Sequence, residues 1–232
     1  MYDYSSRTPY ADYSSEGTAL GERPAVLGKV LGLLGFAFLF TAGGALIGRG
    51  LGPGAFFLAI IGSFGTLIAL QFLRERSPIN LALLYAFATF EGMIIGLVLE
   101  AYVARGLGGA VMNAAAATGA VTLAAGAYGY TTKRDLSGLG GILFAGLLGV
   151  IVASVVGLFV QLPLLYIGIS AVAAVLFTGF LVFDLNRVAN ARGASEGMAI
   201  LLAVGVYLDI INLFLALLRL FGIAVGGIGR DD

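Results

Sequence analysis

The chain has 232 residues, 59% of them apolar and 11% charged, with a formal net charge of zero and a mean hydropathy of +1.01. A water-soluble domain carries about 25% charged residues, so this composition cannot cover a surface that faces water on all sides. Residues 106–132 and 136–183 hold no charged side chain, and a helix crosses a bilayer in about 20 apolar residues. The chain is therefore read as an all-α membrane protein.

The absences exclude several chemistries. Without His there is no Ser-His-Asp triad, haem-binding histidine or His-rich zinc site. Without Cys there is no disulfide, thiol redox centre or iron–sulfur cluster. Lys29 and Lys133, the two lysines, fall near helix ends, so no lysine is placed to form a Schiff base deep in the bilayer. No basic patch points to nucleic acid. No cofactor and no enzymatic activity are expected.

Residues 1–24 are polar, with Tyr2, Tyr4, Tyr10 and Tyr13 among charges of both signs. They contain no apolar core after a basic start, so they read as a disordered cytoplasmic tail and not as a signal peptide. Seven apolar segments follow at about 26–48, 54–73, 79–103, 109–130, 138–160, 163–185 and 198–222. Together they define a seven-helix transmembrane domain over 25–225, with a short C-terminal tail at 226–232. The connections are too short for a soluble domain, which confines any chemistry to the bundle and its mouths. Gly28/Gly32, Gly44/Gly48, Gly92/Gly96 and Gly222/Gly226 have the small-xxx-small spacing that lets helix backbones approach closely.

The basic residues give an expected orientation. With the N-terminus in the cytoplasm, the inner side holds Arg7, Arg23, Lys29, Arg74, Arg76, Lys133, Arg134, Arg187 and Arg192. The outer side holds only Arg49, Arg105 and Arg230, and Arg219 lies inside the last segment. That bias places the N-terminus inside and the C-terminus outside.

Ionisable side chains inside a spanning segment cost at least a few kcal/mol and mark functional candidates. Asp209 stands near the middle of the last segment, with Asn212 three positions on and on the same helix face. Asp184 lies near the inner end of the sixth segment, before Asn186 and Arg187. Two carboxylates on these antiparallel neighbours can meet if the seventh helix starts deep or the sixth dips inward. Like charges in a low-dielectric site would then share one proton. Arg74, at the same membrane face, could neutralise the remaining charge and act as a pH-biased latch. The competing reading is structural, with Asp184 pairing with Arg187 and Asp209 meeting an internal hydrogen bond. Glu91, near mid-membrane in the third segment, is a candidate ion-path acid or a protonated structural carboxyl. Glu100 lies close to the outer end, within reach of Arg105. Arg219 can snorkel outward along its stem.

Three strings carry a family resemblance: YTTKRDLS at 130–137, LVFDLNRV at 181–188 and VYLDIINLFLALLRLFG at 206–222. In this order, in a seven-segment chain, they resemble the Bax inhibitor-1 (transmembrane BAX inhibitor motif-containing) family over about residues 25–225. The resemblance implies a seven-helix bundle with the C-terminal helix central, surrounded by the other six. It implies a pH-sensitive calcium leak in a bacterial-type plasma (inner) membrane, with Asp184 and Asp209 as gate and proton sensor and Arg74 as latch. Calcium would be the transported ion, touching Asp184 and Asp209, with Glu91, Glu100 and Asn212 along its path; carboxylate and amide oxygens suit that ion. The lipid bilayer, calcium and protons are then the expected partners. Some bacterial members carry an acid midway along the second helix where this chain has Ser63.

Two other functions compete. An intramembrane aspartyl protease also sets two aspartates on its sixth and seventh helices. Its second aspartate follows Gly-x-Gly, however, whereas Asp209 follows Gly205-Val206-Tyr207-Leu208, and its Pro-Ala-Leu element is missing. A non-conducting stress-response scaffold would need a docking motif, and none is readable.

Overall fold

The computed structural model describes residues 13–51, 53–132, 134, 136–160, 162–191 and 193–228. Among them there are seven helices and no strand: α1 (Tyr13–Gly48), α2 (Pro53–Leu73), α3 (Ile79–Ala104), α4 (Gly108–Thr131), α5 (Leu139–Val160), α6 (Pro163–Asn190) and α7 (Glu196–Ile228). All seven are long and apolar enough to cross a bilayer. The α1 helix starts at Tyr13, so half of the polar stretch expected as a tail is helical; its apolar span begins at Val26. Tyr2, Tyr4 and Tyr10 lie outside the described residues.

The ends are set by local chemistry. Pro163 sits at the start of α6, where its missing N–H costs nothing. At the end of α3, Gly106 takes φ +76°, and the N–H groups of Gly106 and Leu107 donate to the carbonyls of Val103 and Tyr102. That double cap turns the chain directly into α4. Several hydroxyls inside the spans are satisfied locally: Thr41, Thr89, Thr118, Ser154 and Thr178 each donate to the carbonyl one turn back.

The sixth helix runs five residues past its apolar segment. Its polar end is carried by protein contacts and not by lipid: Asn186 Nδ2 donates to the Gly129 carbonyl at 2.9 Å, and Asn190 Nδ2 to the Asn186 carbonyl at 2.9 Å. Asp184 therefore lies a turn and a half inside the helix.

The main helix contacts run α1 on α3, α6 on α7, α2 on α3, and α4 on both α6 and α7. The most buried span is that of α7, and its extensive neighbours are α1, α3, α4 and α6. The expected arrangement of six helices around the last is thus met by four of them, because α2 packs on α3 and α5 packs on α6. The outermost helix is α5, the least buried span of the bundle.

Two of the four glycine pairs make the α1–α3 seam. A Cβ on Gly44 or Gly48 would collide with the Thr89 or Met93 carbonyl oxygen, and one on Gly92 or Gly96 with that of Thr41 or Ala45. Backbone meets backbone there, so no side-chain rotation can relieve an added methyl. Gly28 and Gly32 face open space. Gly92→Ala is expected to lower stability by about 1–3 kcal/mol, while Gly28→Ala stays within about 0.5 kcal/mol of wild type. Thermal melting of the two variants in detergent checks the contrast.

Candidate functional site

The face of α7 that carries the site follows from helical spacing. Gly205, Asp209, Asn212, Ala216 and Arg219 recur at intervals of three and four, which aligns them in one stripe. Gly205 and Asp209 turn toward α6, and a Cβ on Gly205 would meet Asp184 Oδ2 at 2.5 Å. Glycine at this position is what lets the Asp184 carboxylate lie against the α7 backbone. From the α7 start, Gly205 is about 14 Å along the axis and Asp209 about 20 Å. Asp184 is about 9 Å inside the end of α6, and the difference shows that α7 begins below the last turn of α6.

The two aspartates come together within the bundle. Asp184 is 8% exposed and Asp209 6%, and Gly205, against which Asp184 Oδ2 lies, stands one turn before Asp209 on the same face of α7. Asp184 Oδ1 accepts a hydrogen bond from Arg187 Nη1 at 2.9 Å, one helical turn on. The Arg187 guanidinium also sits over the Phe183 ring at 5.5 Å. Asp209 Oδ2 is buried with no hydrogen-bond partner. Beside Arg187, a cavity of about 520 Å³ lined by Asn190, Ser195, Met198 and Leu202 opens at this end of the bundle.

Arg74 is elsewhere. Its Nε lies 4.0 Å from Glu75 Oε1, and its carbonyl accepts from Asn80 Nδ2 at 2.8 Å. Arg187 thus occupies the place beside Asp184 that the resemblance gave to Arg74. The α2–α3 turn is instead fastened to the start of α7, where Ser195 Oγ donates to Glu75 Oε1 at 3.0 Å.

The remaining candidates separate. Glu91 accepts a hydrogen bond from Ser63 Oγ at 2.5 Å, so the third-helix acid reaches the middle of the second helix. Glu91 stands one turn after Phe87, which packs on Tyr207, on the side of α7 opposite Asp209. Tyr207 is fully buried, shares a 2.8 Å hydrogen bond with Thr41 Oγ1, and packs against Phe38 and Phe87. Glu100 and Arg105 are exposed. Among the described residues the ion pairs are Arg74–Glu75 and Arg187–Asp184, so Glu100 and Arg105 are not joined. Asn212 Nδ2 donates to the Leu208 carbonyl of its own helix, not to Asp209. No group of three or more acidic side chains able to hold a metal occurs among the described residues.

Sequence reasoning missed Gly205, Tyr207 and Thr41. The signal for Gly205 was available: it stands one turn before Asp209 on the same face. A buried tyrosine seeking a hydroxyl partner gives no comparable clue, because the partner lies 166 positions away.

The chain is similar to several known proteins. It is 32% identical over 167 residues to the modulator of FtsH protease YccA of Escherichia coli (strain K12), covering 72% of this chain and 74% of that one. Over 212 residues it is 34% identical to the Golgi anti-apoptotic protein of Vaccinia virus (strain Lister), covering 87% and 86%. A further relative is an uncharacterized membrane protein of Streptococcus pyogenes serotype M3, 34% identical over 154 residues and covering 64% and 66%.

Removing the cation from Asp184 tests the pairing. Arg187→Gln is expected to cost about 1–2 kcal/mol, less than a fully buried pair because the arginine side chain is half exposed. Asp184→Asn with Arg187→Gln should cost less than the sum of the single changes by at least about 0.5 kcal/mol. A double-mutant cycle by thermal melting measures that coupling.

The family model for the inhibitor of apoptosis-promoting Bax1 matches residues 23–225, and with three motifs in order on a seven-helix fold, the chain belongs to the Bax inhibitor-1 family.

Proposed function

We propose that this chain is a pH-sensitive calcium leak of a bacterial inner membrane, without enzymatic activity. Its N-terminus would be cytoplasmic and its C-terminus outside, as the basic residues favour. The observation that carries the reading is the pair Asp184–Asp209: two buried carboxylates on packed helices, one arginine between them and the solvent, and one oxygen with no partner.

Charge bookkeeping supplies the mechanism. With both acids ionised, the Asp184–Arg187–Asp209 group carries one negative charge in excess; with one shared proton it is neutral. The excess charge attracts a cation arriving through the cavity beside Arg187, and repulsion between the acids loosens α7 from α6. A proton removes both effects. Two carboxylates with an asparagine nearby fit a passing calcium ion better than a stored one, which takes six to eight oxygens. Glu91 with Ser63 forms a separate polar site on the other side of α7, available to the ion path. Glu100 and Asn212 would mark the outer half of that path, and the Asp184 end its inner mouth.

Calcium flux through purified protein in dye-loaded liposomes at pH 6, 7 and 8 tests the proposal. Wild type should conduct with a several-fold dependence on pH, and Asp209→Asn should flatten it by removing the proton-sharing group. Asp184→Asn should alter both rate and pH dependence, since it also frees Arg187. An absence of flux from folded protein at every pH overturns the reading. In that case the name of the Escherichia coli relative favours a second one, modulation of a protease. That reading calls for altered turnover of FtsH substrates in cells lacking the chain.

A further inference from the structure

The turn between α2 and α3 takes hold of the first turn of α7. Ser195, the residue before α7, uses one hydroxyl twice: it accepts the Met198 N–H at 3.1 Å and donates to Glu75 Oε1 at 3.0 Å. The first contact caps α7; the second ties it to the turn. Gly197 is buried, and a Cβ there would lie 2.5 Å from Glu75 Oε1 and 2.8 Å from the Arg74 carbonyl oxygen, so the turn rests on bare α7 backbone. Asn80, with no exposed surface, fixes the shape of the turn. Its Nδ2 donates to the Arg74 carbonyl at 2.8 Å and reaches Glu196 Oε1 at 3.5 Å, and its Oδ1 accepts the Leu81 N–H at 2.7 Å.

These contacts differ in how readily they open. Breaking the bonds of a buried amide strands polar atoms away from water, which is costly. Ser195 is exposed and the Glu75 side chain is 58% exposed, so water can replace their bond. Opening it leaves the Met198 N–H capped, so α7 stays wound. From that foot, about two and a half turns of unbroken helix lead to Gly205, against which Asp184 lies. A short rigid helix carries a displacement from one end to the other. A restraint at Ser195 therefore restrains the contact between α7 and Asp184.

We propose that Glu75 and Ser195 form an inner latch that holds α7 in the closed arrangement and must part before α7 moves away from α6. The proposal rests on the reading of the chain as a leak gated at the aspartate pair, and gives the regulation of that site. It moves the latch from the Arg74 guanidinium to the neighbouring carboxylate, with Gly197 as the seat on which the turn closes.

Calcium flux in dye-loaded liposomes and amide hydrogen exchange at residues 199–205 of the full-length protein test it together. Glu75→Ala removes the acceptor and leaves the cap; Gly197→Ala pries the turn off by a methyl. Both should raise flux about fivefold, the loss of one exposed hydrogen bond, and speed exchange by a similar factor. Glu75→Gln, which still accepts from Ser195, should stay within about twofold of wild type on both counts. The chain has no cysteine, so Glu75→Cys with Ser195→Cys can be bridged by a short reversible thiol reagent. Bridging should abolish flux, and reduction should restore it. Glu75→Ala decides the matter if Gly197→Ala does not fold. Free conduction by the bridged protein, or wild-type flux in Glu75→Ala even with faster exchange, would make the contact a structural tie and overturn the latch. If folded wild type does not conduct at all, the leak reading fails separately. Exchange then decides: faster in Glu75→Ala keeps Glu75 as the restraint on α7, and unchanged exchange removes it.

Discussion

A carboxylate inside a bilayer-spanning bundle must find a counter-charge or a proton, and Asp184 and Asp209 have one arginine between them. The surrounding architecture serves that constraint. The α6 helix continues beyond its apolar stretch so that Asp184 is buried and Arg187 can return one turn to it while its stem stays half exposed. Asn186 fastens this end of α6 to α4 through the Gly129 carbonyl, which keeps the pair from drifting into lipid. On the partner helix, Gly205 removes the side chain that would otherwise hold the Asp184 carboxylate away from α7. Losing any of these contacts leaves charge in a medium of low dielectric, where compensation is worth most and its absence costs most.

The last helix separates two polar sites by its own geometry. Residues 205, 209, 212 and 219 fall on one face, whereas Tyr207 is turned nearly half-way round. The first face meets α6 and an open cleft beside α5; the second meets α1 and α3, where Tyr207 pairs with Thr41 near Glu91. A small shift of α7 therefore changes both environments together. The rigid part of the bundle is the α1–α3 seam, whose glycines bring carbonyls into contact and permit no sliding without collision. The less constrained part is the α5 side, where a single extensive helix contact leaves room for lipid.

Much of this was present in the chain as a string of residues. Burial of apolar segments in lipid is decided one segment at a time, so the seven spans, their approximate ends and the out-of-place acids Glu91, Asp184 and Asp209 are all visible without coordinates. The glycine spacings are equally visible, but only two of the four pairs meet a backbone, because spacing does not say which face a neighbour covers. Family membership also lay in the string, since the three motifs are local.

Pairing was decided only in three dimensions. Arg74 and Arg187 are both basic residues at the same membrane face, and nothing in their order says which reaches Asp184. The choice depends on helix depth and rotation, where one turn is about 5.4 Å, longer than the reach of an ion pair. The same reason joins Ser63 to Glu91 across 28 positions, leaves Glu100 and Arg105 apart although they stand five positions from each other, and leaves the buried Ser170 hydroxyl without a partner. Sequence determined which groups the membrane must tolerate, because transfer into lipid is a property of each segment; tertiary structure decided which groups compensate one another, because that depends on distances only the packed helices set.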